Sequence, residues 1–163
     1  MTARGKGAKA IGARGSAATV RKRAGASITR PLPKAVREFI AAARVCRIAS
    51  TRPDGEPHVI PLCPAFDGVD TLYVDIGPKY AMATNIRNEK RVALLIDEYS
   101  DDWTKLRRVL LRCRAKRIVG AERDRAWRRI QRKFPQHKEI DWTPRLTLAL
   151  RVYDWREEGM AGG

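Results

Sequence analysis

Lysine 79 is the first residue in this chain whose type and place suggest chemistry. It follows Gly77-Pro78 and opens the stretch Lys79–Asn88, which has helical character. The first turn of a helix leaves backbone N–H groups without partners, and a lysine there adds a positive charge. That pairing suits an anion such as a phosphate. A solvated loop lysine is the plainer reading of the same residue. His58 is the one strand histidine, and it is either a proton donor or a structural side chain. The three cysteines, Cys46, Cys63 and Cys113, form no CxxC pair and lie in apolar segments. They read as reduced thiols, and with only two histidines no metal centre is expected. No Ser/His/Asp or Cys/His constellation emerges either.

Two charged stretches are further candidates. Asp97-Glu98-Tyr99-Ser100-Asp101-Asp102-Trp103 is acidic in a chain of formal net charge +16. It is either a polar hairpin loop or a surface that meets a basic partner. Arg108, Arg112, Arg114 and Lys116 alternate with Val109, Leu111, Cys113 and Ala115. Alternation alone predicts an inward apolar face and a solvated outer one. A polyanionic ligand on the basic face is the second reading.

The elements that must position these residues follow from periodicity. Val36, Phe39, Ile40 and Ala43 mark an amphipathic helix over 34–43. Strands are expected over 44–51 and 56–66, joined by the Arg52-Pro53-Asp54-Gly55 turn. Pro61 lacks an N–H, which places it on an edge or at a bulge, where a ligand can also approach. Further strands are expected over 71–76, 91–97, 106–119 and 144–153. A second helix spans 79–88. A third spans 122–134, with Trp127, Ile130 and Phe134 on one stripe. The reading is mainly β with peripheral helices. Six antiparallel strands with short turns favour closure into a barrel over an open sheet.

The chain has 163 residues, 44% of them hydrophobic, which suits one domain with an ordinary core. Residues 1–30 stand apart. They carry eight basic side chains, no acid and no aromatic residue, and hold half of the net charge. They are expected to form a disordered basic tail, with the folded domain over 31–163. The tail is a solvated extension or a start codon set too far upstream. Weak contact with nucleic acid through charge is the alternative. No apolar run approaches the ~20 residues of a membrane span, and no signal core precedes the domain. A cytoplasmic location is the expectation.

In their order and spacing, several stretches resemble the pyridoxamine 5'-phosphate oxidase-like split-barrel superfamily, the FMN-binding type of flavin/deazaflavin oxidoreductases. They are Arg47–Thr51 with Pro57–Pro61, Asn85–Leu95, Asp97–Trp103, Lys133–Gln136 and Trp155, covering about 34–156. The third and fourth look most like the subgroup that uses the deazaflavin coenzyme F-420. Lys90 stands where the family often has proline, and Arg107-Arg108 where the subgroup carries paired tryptophans. The resemblance implies a six-stranded antiparallel split barrel and a homodimer with cofactor sites at the interface. It implies an oxidoreductase that passes hydride between FMN or F-420 and a small organic substrate. The cofactor contacts it implies are a ring wall from Ile60, Pro61, Leu62 and Cys63, and phosphate contacts from Lys79, Tyr80, Asn85 and Arg87. Trp103 would cover a partner's cofactor or pack the interface. Some related barrels bind heme, so a carrier of flavin, deazaflavin or heme without turnover is the alternative. Oxidation of pyridoxamine phosphate itself is less favoured, because no stretch matches the C-terminal substrate segment of true members.

Overall fold

A computed structural model describes residues 30–140 and 143–160. Most of the expected elements are present. Helix α1 spans Lys34–Ala42, followed by β1 Cys46–Thr51 and β2 Pro57–Leu62. Then come β3 Ala65–Phe66, β4 Thr71–Ile76, α2 Ala81–Asn88, β5 Arg91–Glu98 and β6 Arg107–Arg117. Helices α3 Gly120–Lys133 and α4 Gln136–Glu139 precede the last strand, β7 Leu146–Glu158.

All seven strands form one sheet in the order β2-β1-β5-β6-β7-β4-β3. Every pairing is antiparallel. The expectation of six strands is corrected here. The segment 56–66 is two strands, and they lie at opposite edges of the sheet. Only Cys63 and Pro64 separate them. The two edges must therefore converge at that corner, and the sheet curls into a half-barrel. Pro64 has no N–H to give a ladder, which suits a strand break there.

The inward stripes build the core. Ile48 on β1, Val92, Leu94 and Ile96 on β5, and Val109, Leu111, Cys113 and Ala115 on β6 are buried. On β7 the stripe runs through Leu148, Leu150 and Val152 and then jumps to Trp155. The jump follows a bulge: Arg112 pairs with Asp154 and Cys113 with Val152, so Tyr153 has no opposite residue. An unpaired residue reverses the strand's facing from that point. Trp155 thus lies within β7, beyond the end expected at Tyr153.

Three helices close the structure. Val36 and Ile40 of α1 join the main core. Trp127, Ile130 and Phe134 at α3 pack with Ala65 and Tyr73 on the outer side of β3 and β4. Met82, Ala83 and Ile86 of α2 also enter the main core. At the start of the described chain, Arg30 stacks 3.6 Å from the Trp155 ring centroid. The Trp155 indole N–H donates to the Arg30 carbonyl at 3.1 Å. Arg30 therefore belongs to the folded domain and not to the tail. The basic stretch 1–29, with the suggested nucleic-acid contact, lies outside the described residues. Among the described residues, no helix is long and apolar enough to cross a membrane.

Candidate functional site

The site is built from β2, an edge strand. At its hairpin, Arg52 N–H donates to the Glu56 carbonyl at 2.9 Å. Backbone groups alternate in direction along a strand, so those of Pro57, Val59 and Pro61 face away from β1. Two of these three residues are prolines. The outer edge of β2 thus presents a single N–H, that of Val59, beside the Pro57 and Pro61 rings. This is the edge position that Pro61 called for, and it resists pairing with another strand.

The ring-wall candidates divide by facing. Ile60 lies opposite Ile48 and Leu62 opposite Cys46, and both half-buried side chains pack against the core. Pro61 and Cys63 are exposed. Cys63 sits at the corner where β2 ends, some five residues beyond His58, or ~17 Å along an extended strand. There it neighbours Cys46 and Lys133. The Lys133 amine donates to the Ala43 carbonyl at 2.6 Å, and burial lowers its pKa. Burial pushes the Cys46 thiol up to about 12. Burial likewise raises Cys113.

At the other end of β2, a polar chain ties three elements together. Asn85 of α2 is 2% exposed and Ser50 of β1 is 4% exposed. The Asn85 amide donates to Ser50 Oγ at 3.0 Å. Ser50 Oγ lies 3.5 Å from Nδ1 of His58, its register partner on β2. Asn85 thus holds α2 to the sheet from the interior, and its amide nitrogen is already engaged. Sequence reasoning missed Ser50, whose only signal was a hydroxyl on an inward strand position.

Lys79 and Tyr80 lie in the turn that leads into α2, where Tyr80 N–H donates to the Gly77 carbonyl at 3.1 Å. Both are exposed; Tyr80 is 54% exposed, and its ring lies against Gly77. The helix begins at Ala81, not at Lys79 as the pattern suggested. No side chain caps it and no acid occupies its first turn. Ala83 N–H donates to the Tyr80 carbonyl at 2.9 Å, which leaves the leading N–H groups of Ala81 and Met82 for an anion, with Lys79 two residues upstream of the helix. Arg87 is elsewhere. It sits in the last turn of α2, ~9 Å of helical rise from Ala81. Its guanidinium reaches back to Thr84 Oγ1 at 2.8 Å. The structure thus brings Lys79 and Tyr80 together and separates Arg87 from them.

Trp103 opens a short 3-10 turn between β5 and β6 and is 76% exposed. Most of its acidic neighbours have partners within the chain. Asp97 pairs with Arg47, Glu98 with Arg107, and Asp102 with Lys105. The basic stripe faces outward on β6. Arg108 pairs with Glu158 at 2.7 Å, Arg112 with Asp154 at 2.9 Å and Lys116 with Glu122 at 3.1 Å.

A flavin-type coenzyme needs an apolar wall with a few backbone groups, and a place for its phosphate. The β2 edge with Val59 and Pro61, and the uncapped start of α2 with Lys79, meet both needs. The residues present fit such a group.

Residues 32–157 match the sequence profile of the pyridoxamine 5'-phosphate oxidase family. The chain belongs to that family. Solved structures share this family member's half-barrel. A heme binding protein from Mycobacterium smegmatis is 22% identical, with a TM-score of 0.68 over 81% of this chain and 57% of that one. A protein of unknown function from Agrobacterium tumefaciens is 22% identical, with a TM-score of 0.67 over 76% of this chain and 54% of that one. The chain thus spans little more than half the length of these two proteins. An FAD-binding protein from Mesorhizobium loti is 22% identical, with a TM-score of 0.61 over 78% and 93% of the two chains. No curated protein matches the sequence.

Proposed function

We propose that this protein is a flavin-nucleotide-dependent oxidoreductase of the pyridoxamine 5'-phosphate oxidase family, working as a homodimer on a small organic substrate. The observation that carries this reading is the outer edge of β2, with one N–H between two prolines, together with the uncapped start of α2. The bridge from Asn85 through Ser50 to His58 ties that helix to the start of β2. Lys79 and the open N–H groups of α2 would hold the phosphate. The β2 edge would hold the ring. When bound, the flavin supplies the hydride chemistry; the chain supplies binding, orientation and exclusion of water. FMN is the favoured coenzyme, and F-420, which shares the tricyclic ring and ribityl phosphate but adds a polyanionic tail, is the alternative. Family membership supports the oxidoreductase reading over a carrier.

The dimer reading rests on the outer face of β2, β1, β5 and β6. Val59 is 60% exposed, and Ala49, Ala93, Leu95 and Leu110 share its side of the sheet. The Arg47–Asp97 and Arg112–Asp154 pairs lie on the same face. The main helix contacts lie elsewhere: α3 on β3, β4 and β7, α1 on β3, and α2 on β1. Trp103 and Tyr99, both exposed at the β5–β6 turn, would reach the partner's ring. An apolar centre with a charged rim is the composition of a protein interface.

Fluorescence titration of the purified chain with FMN and with F-420 tests the coenzyme, and heme is followed by absorbance. Lys79→Ala should weaken nucleotide binding about tenfold, the scale of one charge-assisted hydrogen bond. Leu110→Asp should convert a dimer to a monomer in sedimentation. Acceleration of acceptor reduction by the loaded protein separates an enzyme from a carrier. Binding of neither nucleotide defeats the reading.

A further inference from the structure

The inward stripes of the barrel do not end in apolar residues at the α2 end. On β5 the buried series Ile96, Leu94, Val92 is followed in phase by Lys90. On β6 the series Leu111, Cys113, Ala115 is followed by Arg117. Strand period places these two cations where a closed core would carry hydrophobic side chains. They meet at one mouth: Ala115 N–H donates to the Lys90 carbonyl at 2.7 Å, and Arg117 lies opposite Leu148 of β7.

Between this mouth and α2 is a cleft of about 600 Å³. Its floor is apolar, formed by Ile86, Ala115, Leu146 and Leu148, with Ala83 leaving room on the helix side. Its rim carries Arg87, Lys90, Lys116 and Arg117. Lys116 is neutralised by Glu122. The nearby Glu89 is held by Arg91. Arg87 reaches only a neutral hydroxyl, Thr84 Oγ1. Lys90 and Arg117 make no ion pair among the described residues. Three uncompensated cations around an apolar slot repel one another, and an anion seated between them relieves that cost. The volume falls in the range of small-molecule sites, and an apolar lining with few charged groups is their usual make-up.

We propose that this cleft binds an amphipathic organic anion, with its apolar body on Ile86, Leu146 and Leu148 and one carboxylate or phosphate head between Lys90 and Arg117. The site is separate from the proposed flavin site, because Lys79 lies at the opposite end of α2. The lining holds no histidine, cysteine, methionine or tyrosine, the usual axial ligands of heme iron.

The test uses the full chain and the fluorescent anion anilinonaphthalene sulfonate as probe. Dodecanoate and dodecyl phosphate compete for it, with dodecanol and inorganic phosphate as controls. Saturable displacement by either dodecyl anion is expected, and the more effective head group identifies the source chemistry. Dodecanol and inorganic phosphate should each be at least about tenfold weaker. Lys90→Ser with Arg117→Ser should weaken the dodecyl anions about tenfold or more, with thermal unfolding and FMN titration unchanged. Both positions are exposed, so the variant tests binding without touching the core. Equal competition by dodecanol overturns the proposal, as does equal competition by inorganic phosphate. So does dodecanoate affinity that survives the double substitution.

Discussion

Removing the Asn85 amide tests whether that residue serves the fold or the cofactor. Asn85→Ala deletes the hydrogen bond to Ser50 Oγ, a net loss of ~1 kcal/mol. It also strands the Ser50 hydroxyl in a buried place, with only the long contact to His58 left. That penalty adds ~1–3 kcal/mol. The expected total is ~2–4 kcal/mol, a large share of the ~5–15 kcal/mol by which domains are stable. At ~3–5 °C per kcal/mol for a domain of this size, the midpoint should fall by ~6–20 °C. Ser50→Ala should cost a similar amount, because it strands the Asn85 amide instead. The double variant should cost less than the two singles together, by ~1–2 kcal/mol, since neither partner is left alone. Urea unfolding followed through the buried Trp127 and Trp155 reads all three. FMN titration of the folded single variant should match the parent protein. A variant within ~0.5 kcal/mol of the parent in stability, but with FMN affinity about tenfold lower, would refute the reasoning. Asn85 would then be a cofactor contact.

Three further outcomes are expected. In the native protein a disulfide-exchange reagent should titrate Cys63 alone; Cys46 and Cys113, buried and with raised pKa values, should react only after unfolding. His137 packs edge-on to Trp127 and Phe134, and burial depresses its pKa below the ordinary 6.5. The unfolded chain then binds the proton more tightly. Stability should therefore be complete above about pH 6.5 and decline as pH falls toward the depressed value, and His137→Gln should flatten that slope in unfolding measured across pH. At Gly159 the backbone has φ +71°, and an added Cβ would meet the Leu106 carbonyl oxygen 1.9 Å away. Gly159→Ala should lower the unfolding midpoint by several degrees, and an unchanged midpoint would show that this end of β7 yields freely.

Much of this architecture was legible in local pattern. The alternation along 106–119 picked out Val109, Leu111, Cys113 and Ala115, and all four are buried. The stripe Trp127, Ile130 and Phe134 was read as the packed face of a helix and is buried. Pro61 announced an edge, and β2 is one. These features are properties of a short segment. Side-chain direction repeats every two residues in a strand and every 3.6 in a helix, so neighbours in sequence reveal it.

What only the tertiary structure decided is how distant segments meet. Pro64 can interrupt a strand within 56–66, but only closure of the sheet makes the chain leave one edge and join the other at Cys63-Pro64. The resemblance made Asn85 a phosphate contact; that it is buried against Ser50 follows from how α2 rolls onto the barrel, which the helix pattern does not say. Its partner Ser50 lies 35 residues earlier. The resemblance made Arg87 a phosphate contact beside Lys79, and nothing in the local pattern joined it to Lys90 or Arg117. Only the curl of the half-barrel gathers them at one mouth, and their mutual repulsion there makes that mouth a place for an anion.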